Sequence, residues 1–501
     1  MRGLLTGLFL TLSPLIAAAE TPRVTVTQGA IEGQTRDNGV HIFKAIPFAA
    51  PPVGELRWQA PKPPQGWDGV RQSYDSAPAC LQASYGWNDK DAQQSAEDCL
   101  YLEVASPDLT PQTPLPVMVY IHGGANRAGV GTGQIYSAIP ETGVVLVSIQ
   151  YRLGVFGFLS HPALSAEQGG ASGNYALMDQ IAALEWVRDN IAAFGGDANN
   201  VTLFGHSAGS QDVGLLMASP RARGLFHKAI MQSGMPQFGL PARSLSENEA
   251  MGAALADAYS AHPSDSAAAL SDLRKADARS LQTAADKLDP PILDKSFIWL
   301  QAVVDGKMLP EAPETVFRKG QQAQVPLIIG VSAREFGGEN TVIPEWRAMV
   351  RAAYGDQAEK ALKFYGIKGW FGKKYDPLYG LAGLAISTDV NFRCPAIWVA
   401  RHHTAPTYLY QLEVHRPDEA GPVRHGSELP FVFDAPRTES VWPPLRDHWV
   451  AFARSGQPDI TDRKIIWPVY GKKAAYMAFG TRGPQVQHNL RRPVCDWLDR
   501  P

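Results

Sequence analysis

The stretch at residues 194–209, FGGDANNVTLFGHSAG, constrains this chain more than any other. Residues 201–204 form a short β-branched and apolar run, the pattern of a buried strand. The run passes directly into GHSAG at 205–209, and the small residues beyond can open a helix. A sharp strand-to-helix turn needs glycine on both sides of Ser207, because side chains there would collide with neighbouring backbone. Such a turn lifts Ser207 Oγ to the carboxyl end of a sheet. It also aims the Ala208 N–H, at a helix N-terminus, toward an oxyanion forming on a bound carbonyl. A G-x-S-x-G pattern arises by chance in a chain with 46 glycines. The weight therefore falls on the flanking strand and on the rest of the sequence.

The helix expected at residues 175–194 precedes this strand. Leu177, Ile181, Leu184, Val187 and Ile191 recur at helical spacing, with Asp179, Glu185, Arg188 and Asp189 off that stripe, and Gly195 and Gly196 stop it. Continuous apolar runs at 116–121, 144–149 and 325–331 read as central strands, with further strands at 228–233 and 408–412. Residues 97–104 alternate apolar with polar, as a half-exposed strand does. Strand, helix and strand with short connections imply parallel crossovers and a doubly wound, mostly parallel α/β sheet. Residues 24–33 form a hairpin around Gly29, and the proline-dense coil at 47–54 wraps a surface. Residues 241–300 and 341–400 read as helical blocks, placed to cover the sheet's carboxyl edge and shape a substrate gorge.

Residues 1–19 combine a basic start, an apolar core and Ala17-Ala18-Ala19 before the expected cut. This is a secretory leader, too short for a membrane span, leaving residues 20–501 as one domain in a periplasmic or secreted protein. No later stretch is apolar for long enough to cross a bilayer. A net charge of −3 gives no electrostatic reason to expect nucleic acid. Four cysteines in an exported chain read as disulfides, with three pairings open. Nothing in the sequence sets an oligomeric state, and no metal-ligand cluster or cofactor motif is visible.

A serine nucleophile needs a base, and the base needs an orienting carboxylate. Glu335 follows the strand ending at Val331, and His425 lies in a loop after the strand near Tyr408, in the chain order Ser, acid, His. Spacing alone does not choose among 12 histidines. The run HGGAN at 122–126 leaves a buried strand, and its glycines let backbone N–H groups approach a ligand.

Taken together, these runs resemble the type B carboxylesterases, which include para-nitrobenzyl esterases and cholinesterases and have the α/β-hydrolase fold. FGGDANNVTLFGHSAG matches the family's serine signature, and EDCLYLEVASP the second signature except at Glu103 and Ala105. The similarity runs on through PFAAPPVGELRW, YIHGGANRAG, SIQYRLGVFGFL, AIMQSG, VDGKMLP, VPLIIGVSAREFGG, NFRCP, RHGSELPFVF, WVAFARSGQPD and IIWP. The resemblance implies Ser207 as nucleophile, Glu335 as acid and His425 as base. It implies backbone oxyanion donors at Gly124, Ala125 and Ala208, and Ser233 near the acid. It also implies the pairs Cys80–Cys99 and Cys394–Cys495. The expected activity is hydrolysis of small carboxylic esters through an acyl-enzyme, without metal or organic cofactor. A carbamate or amide hydrolase using the same residues, and a non-catalytic binding protein on this fold, are the alternatives.

Three positions depart from the family pattern. His206 stands where Glu is usual before the nucleophile, close enough to alter local charge while pointing away from Ser207 Oγ. Phe336 stands where Gly usually follows the acid, which leaves Asp305, Glu339 and Glu428 as rivals to Glu335. The segment between Cys80 and Cys99 is shorter than in cholinesterases, so its Trp87 reads as a packing residue rather than a cation-binding one.

Overall fold

The computed structural model describes residues 21–236, 242–262, 265–288, 302–338, 340–368, 371–372, 375–416, 421–435, 442–460 and 465–498. The leader at 1–19 lies outside the described residues. The frame is a sheet of eleven strands. They are β1 (Gln34–Thr35), β2 (His41–Pro47), β3 (Tyr101–Ser106), β4 (Leu115–Ile121), β5 (Val145–Ile149) and β6 (Gly196–His206). They continue with β7 (Lys228–Gln232), β8 (Leu327–Ser332), β9 (Thr407–Leu412), β10 (Ala475–Gly480) and β11 (Gly483–His488). The spatial order is β11-β10-β9-β8-β7-β6-β4-β5-β3-β2-β1. Pairing is parallel from β10 through β5 and antiparallel at both ends.

Both faces of the central strands are buried, which is why they read as unbroken apolar runs rather than alternating ones. Val117, Val119 and Ile121 of β4 join one core with Leu177, Ile181 and Leu184 of helix α1 (Tyr175–Asn190). Met118 and Tyr120 point the other way, toward Trp449 and Phe452 on a later helix, Leu445–Ser455. Because the central strands are parallel, their carboxyl ends share one edge, and the loops that leave it converge there. The N-terminal hairpin pairs Arg23–Val26 with Glu32–Gly29 in a separate small sheet. Both cysteine pairs form as the resemblance implied, Cys80 with Cys99 and Cys394 with Cys495. No helix among the described residues is long and apolar enough to cross a membrane.

Four details correct the sequence reading. The alternation at 97–104 is not a wet face: Glu103 is buried, accepting from Ser76 Oγ at 2.6 Å and from the Gly133 N–H at 3.0 Å. Asp179, off the apolar stripe of α1, is also buried, because the Arg152 guanidinium meets both its oxygens at 2.6 and 2.8 Å. Residues 341–400 are not helical throughout. Gly366, at φ 72°, ends one helical stretch, and Ile367–Lys368 pairs with Phe371–Gly372 before helix resumes at Ala382–Thr388. Trp87 does not pack; it is 64% exposed. The interior of its short loop is filled by polar groups instead, with Asn88 donating to Gln82 and Gln82 bonded to both the N–H and the C=O of Gly129. In the first helical block the described helices are Leu245–Tyr259, Ser266–Lys275 and Ala278–Asp286.

Candidate active site

At the end of β6 the chain turns through Ser207, whose φ of 58° is a strained value for a residue with a Cβ, and enters helix α2 (Ala208–Ala218). The two flanking glycines are forced by close approach. A Cβ on Gly205 would sit 2.5 Å from the Gly209 carbonyl carbon, and one on Gly209 would sit 2.1 Å from the Ile121 oxygen. The elbow is pinned by a hydrogen bond from the Ser207 N–H to the Gln232 carbonyl at 2.8 Å.

The loop leaving β4 packs directly on this elbow. A Cβ on Gly123 would come within 2.6 Å of the His206 oxygen and 2.9 Å of Ser207 Cβ. The loop then carries Gly124 at φ 119° and Ala125 at φ 55° past the serine. Ala208 is the first residue of α2, so its N–H has no intrahelical partner. Three backbone N–H groups from two separate elements are thus gathered at one edge of the sheet.

From the loop after β8, Glu335 is buried and accepts the Ser332 N–H at 2.8 Å. Its other oxygen lies 2.5 Å from His425 Nδ1. His425 comes from the loop after β9 and keeps 18% of its side chain exposed. Its ring centroid stands 4.6 Å from that of His206, the residue before Ser207, which brings the imidazole to the elbow. His425 Nε2 has no hydrogen-bond partner among the described residues, so the Ser207–His425 hydrogen bond is not closed. Loose geometry of this kind is common before substrate binds. Phe336 packs edge-on against His425 at 4.7 Å, and Phe392 lies 5.5 Å away. The phenylalanine that replaces glycine after Glu335 therefore helps to fix the imidazole.

The rival carboxylates separate cleanly. Asp305 caps a turn, accepting the backbone N–H groups of Lys307, Met308 and Leu309. Glu339 lies outside the described residues. Glu428 is buried beside the site, accepting from Ser233 Oγ at 2.8 Å and Ser332 Oγ at 3.3 Å, and lies 3.7 Å from His206 Nε2. Ser233 thus bonds to Glu428, while its hydroxyl also pulls the Glu335 pKa downward and so favours the ionised carboxylate. The sequence offers Glu428 as an alternative to Glu335, whereas the structure places both at the site, Glu335 on His425 and Glu428 on Ser233 and Ser332.

Burial lowers the His425 pKa to about 4, against an upward pull from Glu428. Burial likewise lowers His206 to about 4, with Glu428 pulling up and His425 pushing further down. Burial pushes Glu335 well above the usual carboxylate range, and Glu428 pushes it in the same direction. The cluster holds two carboxylates and two imidazoles, with an unprotonated ring available to take a proton.

Comparison with known proteins gives the same family. The Carboxylesterase family profile matches residues 20–498. The chain belongs to the carboxylesterase family. It is 34% identical to the fumonisin B1 esterase of Sphingopyxis macrogoltabida, over 94% of this chain and 88% of that one. It is 35% identical to the para-nitrobenzyl esterase of Bacillus subtilis (strain 168), over 89% and 92%. A solved para-nitrobenzyl esterase structure superimposes with a TM-score of 0.80 at 34% identity, covering 96% of this chain and 100% of that one. The fold is accordingly that of the α/β-hydrolases, and the chain is a carboxylic ester hydrolase.

Proposed function

We propose that this carboxylesterase is an exported, single-domain enzyme that cleaves small esters through an acyl-enzyme on Ser207. The observation that carries the reading is the 2.5 Å contact between Glu335 and His425 Nδ1 beside the Ser207 elbow. His425 Nε2 takes the Ser207 proton as Oγ attacks the ester carbonyl. The N–H groups of Gly124, Ala125 and Ala208 receive the oxyanion. His425 then protonates the departing alcohol, and water repeats the sequence on the acyl group. Glu335 holds the imidazole tautomer and stabilises its charged form. Losing one oxyanion donor would raise the barrier by about 3 kcal/mol. Export is supported by the leader-like residues 1–19 and by two disulfides, which persist in oxidising compartments.

The test is hydrolysis of para-nitrophenyl acetate, butyrate and octanoate by the mature protein, beside a Ser207→Ala variant. The expected result is turnover in the parent and a loss of at least about 10⁴-fold in kcat in the variant. Turnover that survives the substitution would refute the assignment of Ser207. The N-terminal residue of exported protein, expected at Glu20, tests the leader.

A further inference from the structure

The loop carrying Gly124 and Ala125 passes through two consecutive left-handed residues, Ala125 at φ 55° and Asn126 at φ 53°. Such backbone is unfavourable for residues with a Cβ and persists only where the surroundings over-determine it. Asn126 supplies much of that determination. It is fully buried, and its carbonyl accepts the Gly154 N–H at 2.6 Å. Its Oδ1 accepts the Tyr151 hydroxyl at 3.3 Å, and its Nδ2 donates to Asp212 Oδ1 at 3.0 Å. Asp212 sits on α2, one turn beyond Ala208, and its Oδ2 accepts Gln180 Nε2 of α1 at 2.6 Å.

We propose that Asp212 is a positioning residue that braces the two halves of the oxyanion hole against each other. One half is the loop after β4, with Gly124 and Ala125; the other is the start of α2, with Ala208. The inference rests on the oxyanion reading given above. Donors on separate elements stabilise a tetrahedral intermediate only while their spacing is held, and a side-chain bond between the elements holds it. The chemistry of the brace fits this role better than a stabilising one. Asp212 is fully buried, and its hydrogen-bond donors are neutral amides. Burial raises its pKa to about 7. A carboxylate kept in such a place weakens the fold, whereas two amide donors facing one group call for an acceptor at each oxygen.

Asp212→Asn should preserve the brace. The amide oxygen can keep the Asn126 bond, and Gln180 can turn its Oε1, unpartnered among the described residues, toward the new NH₂. Asp212→Ala and Asn126→Ala should each break it. The experiment measures kcat and KM on para-nitrophenyl butyrate, together with Ki for an alkyl trifluoromethyl ketone that forms a tetrahedral adduct on the serine. Each alanine variant is expected to lose about 10- to 100-fold in kcat with KM nearly unchanged, and the ketone Ki should rise in parallel. The double variant should be no worse than either single one, because both remove the same bond. The asparagine variant should stay within about threefold of the parent, as an intact brace leaves the donors in place. Losses that multiply in the double variant, a change confined to KM, or an unchanged ketone Ki would overturn the brace. Should Asp212→Ala fail to fold by circular dichroism, Asn126→Ala with Asp212→Asn decides the matter. Ketone inhibition that survives Ser207→Ala would instead refute the nucleophile assignment, so the two failures are distinct.

Discussion

Two buried clusters of charge adjoin where Arg393 donates to the Ala333 carbonyl and the Glu335 N–H to Thr388 Oγ1, and their neighbours differ in kind. Asp389 is fully buried between two guanidiniums. Arg393 meets one oxygen, and Arg491 meets the other at 2.6 and 3.0 Å, with the Tyr365 hydroxyl as a third partner at 3.0 Å. Burial would push its pKa up, but the two arginines outweigh burial and hold it below the usual 3.8. Glu335 and Glu428 are as deeply buried, yet their partners are hydroxyls, a backbone N–H and two imidazoles. In the first cluster the carboxylate is ion-paired and its proton affinity is pushed further from neutral pH. In the second, burial raises Glu335 and lowers both imidazoles, and proton affinities displaced in that way are what acid–base chemistry uses.

The sharpest way to break this contrast is to remove one charge from each cluster. Glu335→Gln should cost about 10⁴ in kcat, because the imidazole loses its orienting anion. It should leave the unfolding free energy within about 1 kcal/mol, since an ionised Glu335 adds nothing to stability above its raised pKa. The sign follows from linkage. A carboxyl whose folded pKa is raised binds its proton more tightly when folded, so its ionisation lowers stability as pH rises. Asp389→Ala should do the reverse. It strands a buried Arg393 and should cost about 3–5 kcal/mol in chemical denaturation, with kcat little changed in the protein that remains folded. Asp389 is depressed, so its contribution is present above pH 3.8 and lost as pH falls through the lower folded value. A Glu335→Gln variant that unfolds, or an Asp389→Ala variant of parental stability, would erase the distinction.

Smaller effects sharpen it. The base works unprotonated, and burial lowers His425 to about 4. The acid limb of kcat/KM should therefore lie below the ordinary imidazole value of 6.5. Glu428 pulls His425 upward, so Glu428→Gln should move that limb to still lower pH. His206→Glu, which puts a carboxylate in place of a ring whose centroid stands 4.6 Å from that of His425, should move it to higher pH. Stopped-flow pH profiles of the three proteins read these shifts. A limb unmoved by either substitution would mean that the second carboxylate does not act on the base.

Much of this arrangement was legible in the sequence because it is local. The elbow needs glycine two residues before and two residues after Ser207 and a strand before it, and all three sit within residues 201–209. The loop order of acid and base follows from parallel topology, and the family resemblance supplied the pairing of cysteines. What stayed hidden depends on tertiary neighbours. Asp179 reads as a solvent-facing residue until Arg152, twenty-seven residues earlier, reaches it. Glu103 reads as exposed until Ser76 and Gly133 arrive from other loops. Phe336 reads as a departure from pattern until its ring is found against His425. Trp87 reads as a packing residue because its loop is short, whereas hydrogen bonds among Gln82, Asn88 and Gly129 fill the loop's interior and leave the ring exposed. For Asp179, Glu103 and Phe336 the deciding partner is far away in sequence, and a one-dimensional pattern does not encode it.

The most direct test of the central claim is covalent. The mature enzyme would be treated with an alkyl fluorophosphonate and the modified peptide mapped by mass spectrometry. A single adduct on Ser207, lost or strongly slowed in His425→Ala, is the result this account predicts. An adduct on another serine, or labelling of Ser207 at an undiminished rate without His425, would contradict it.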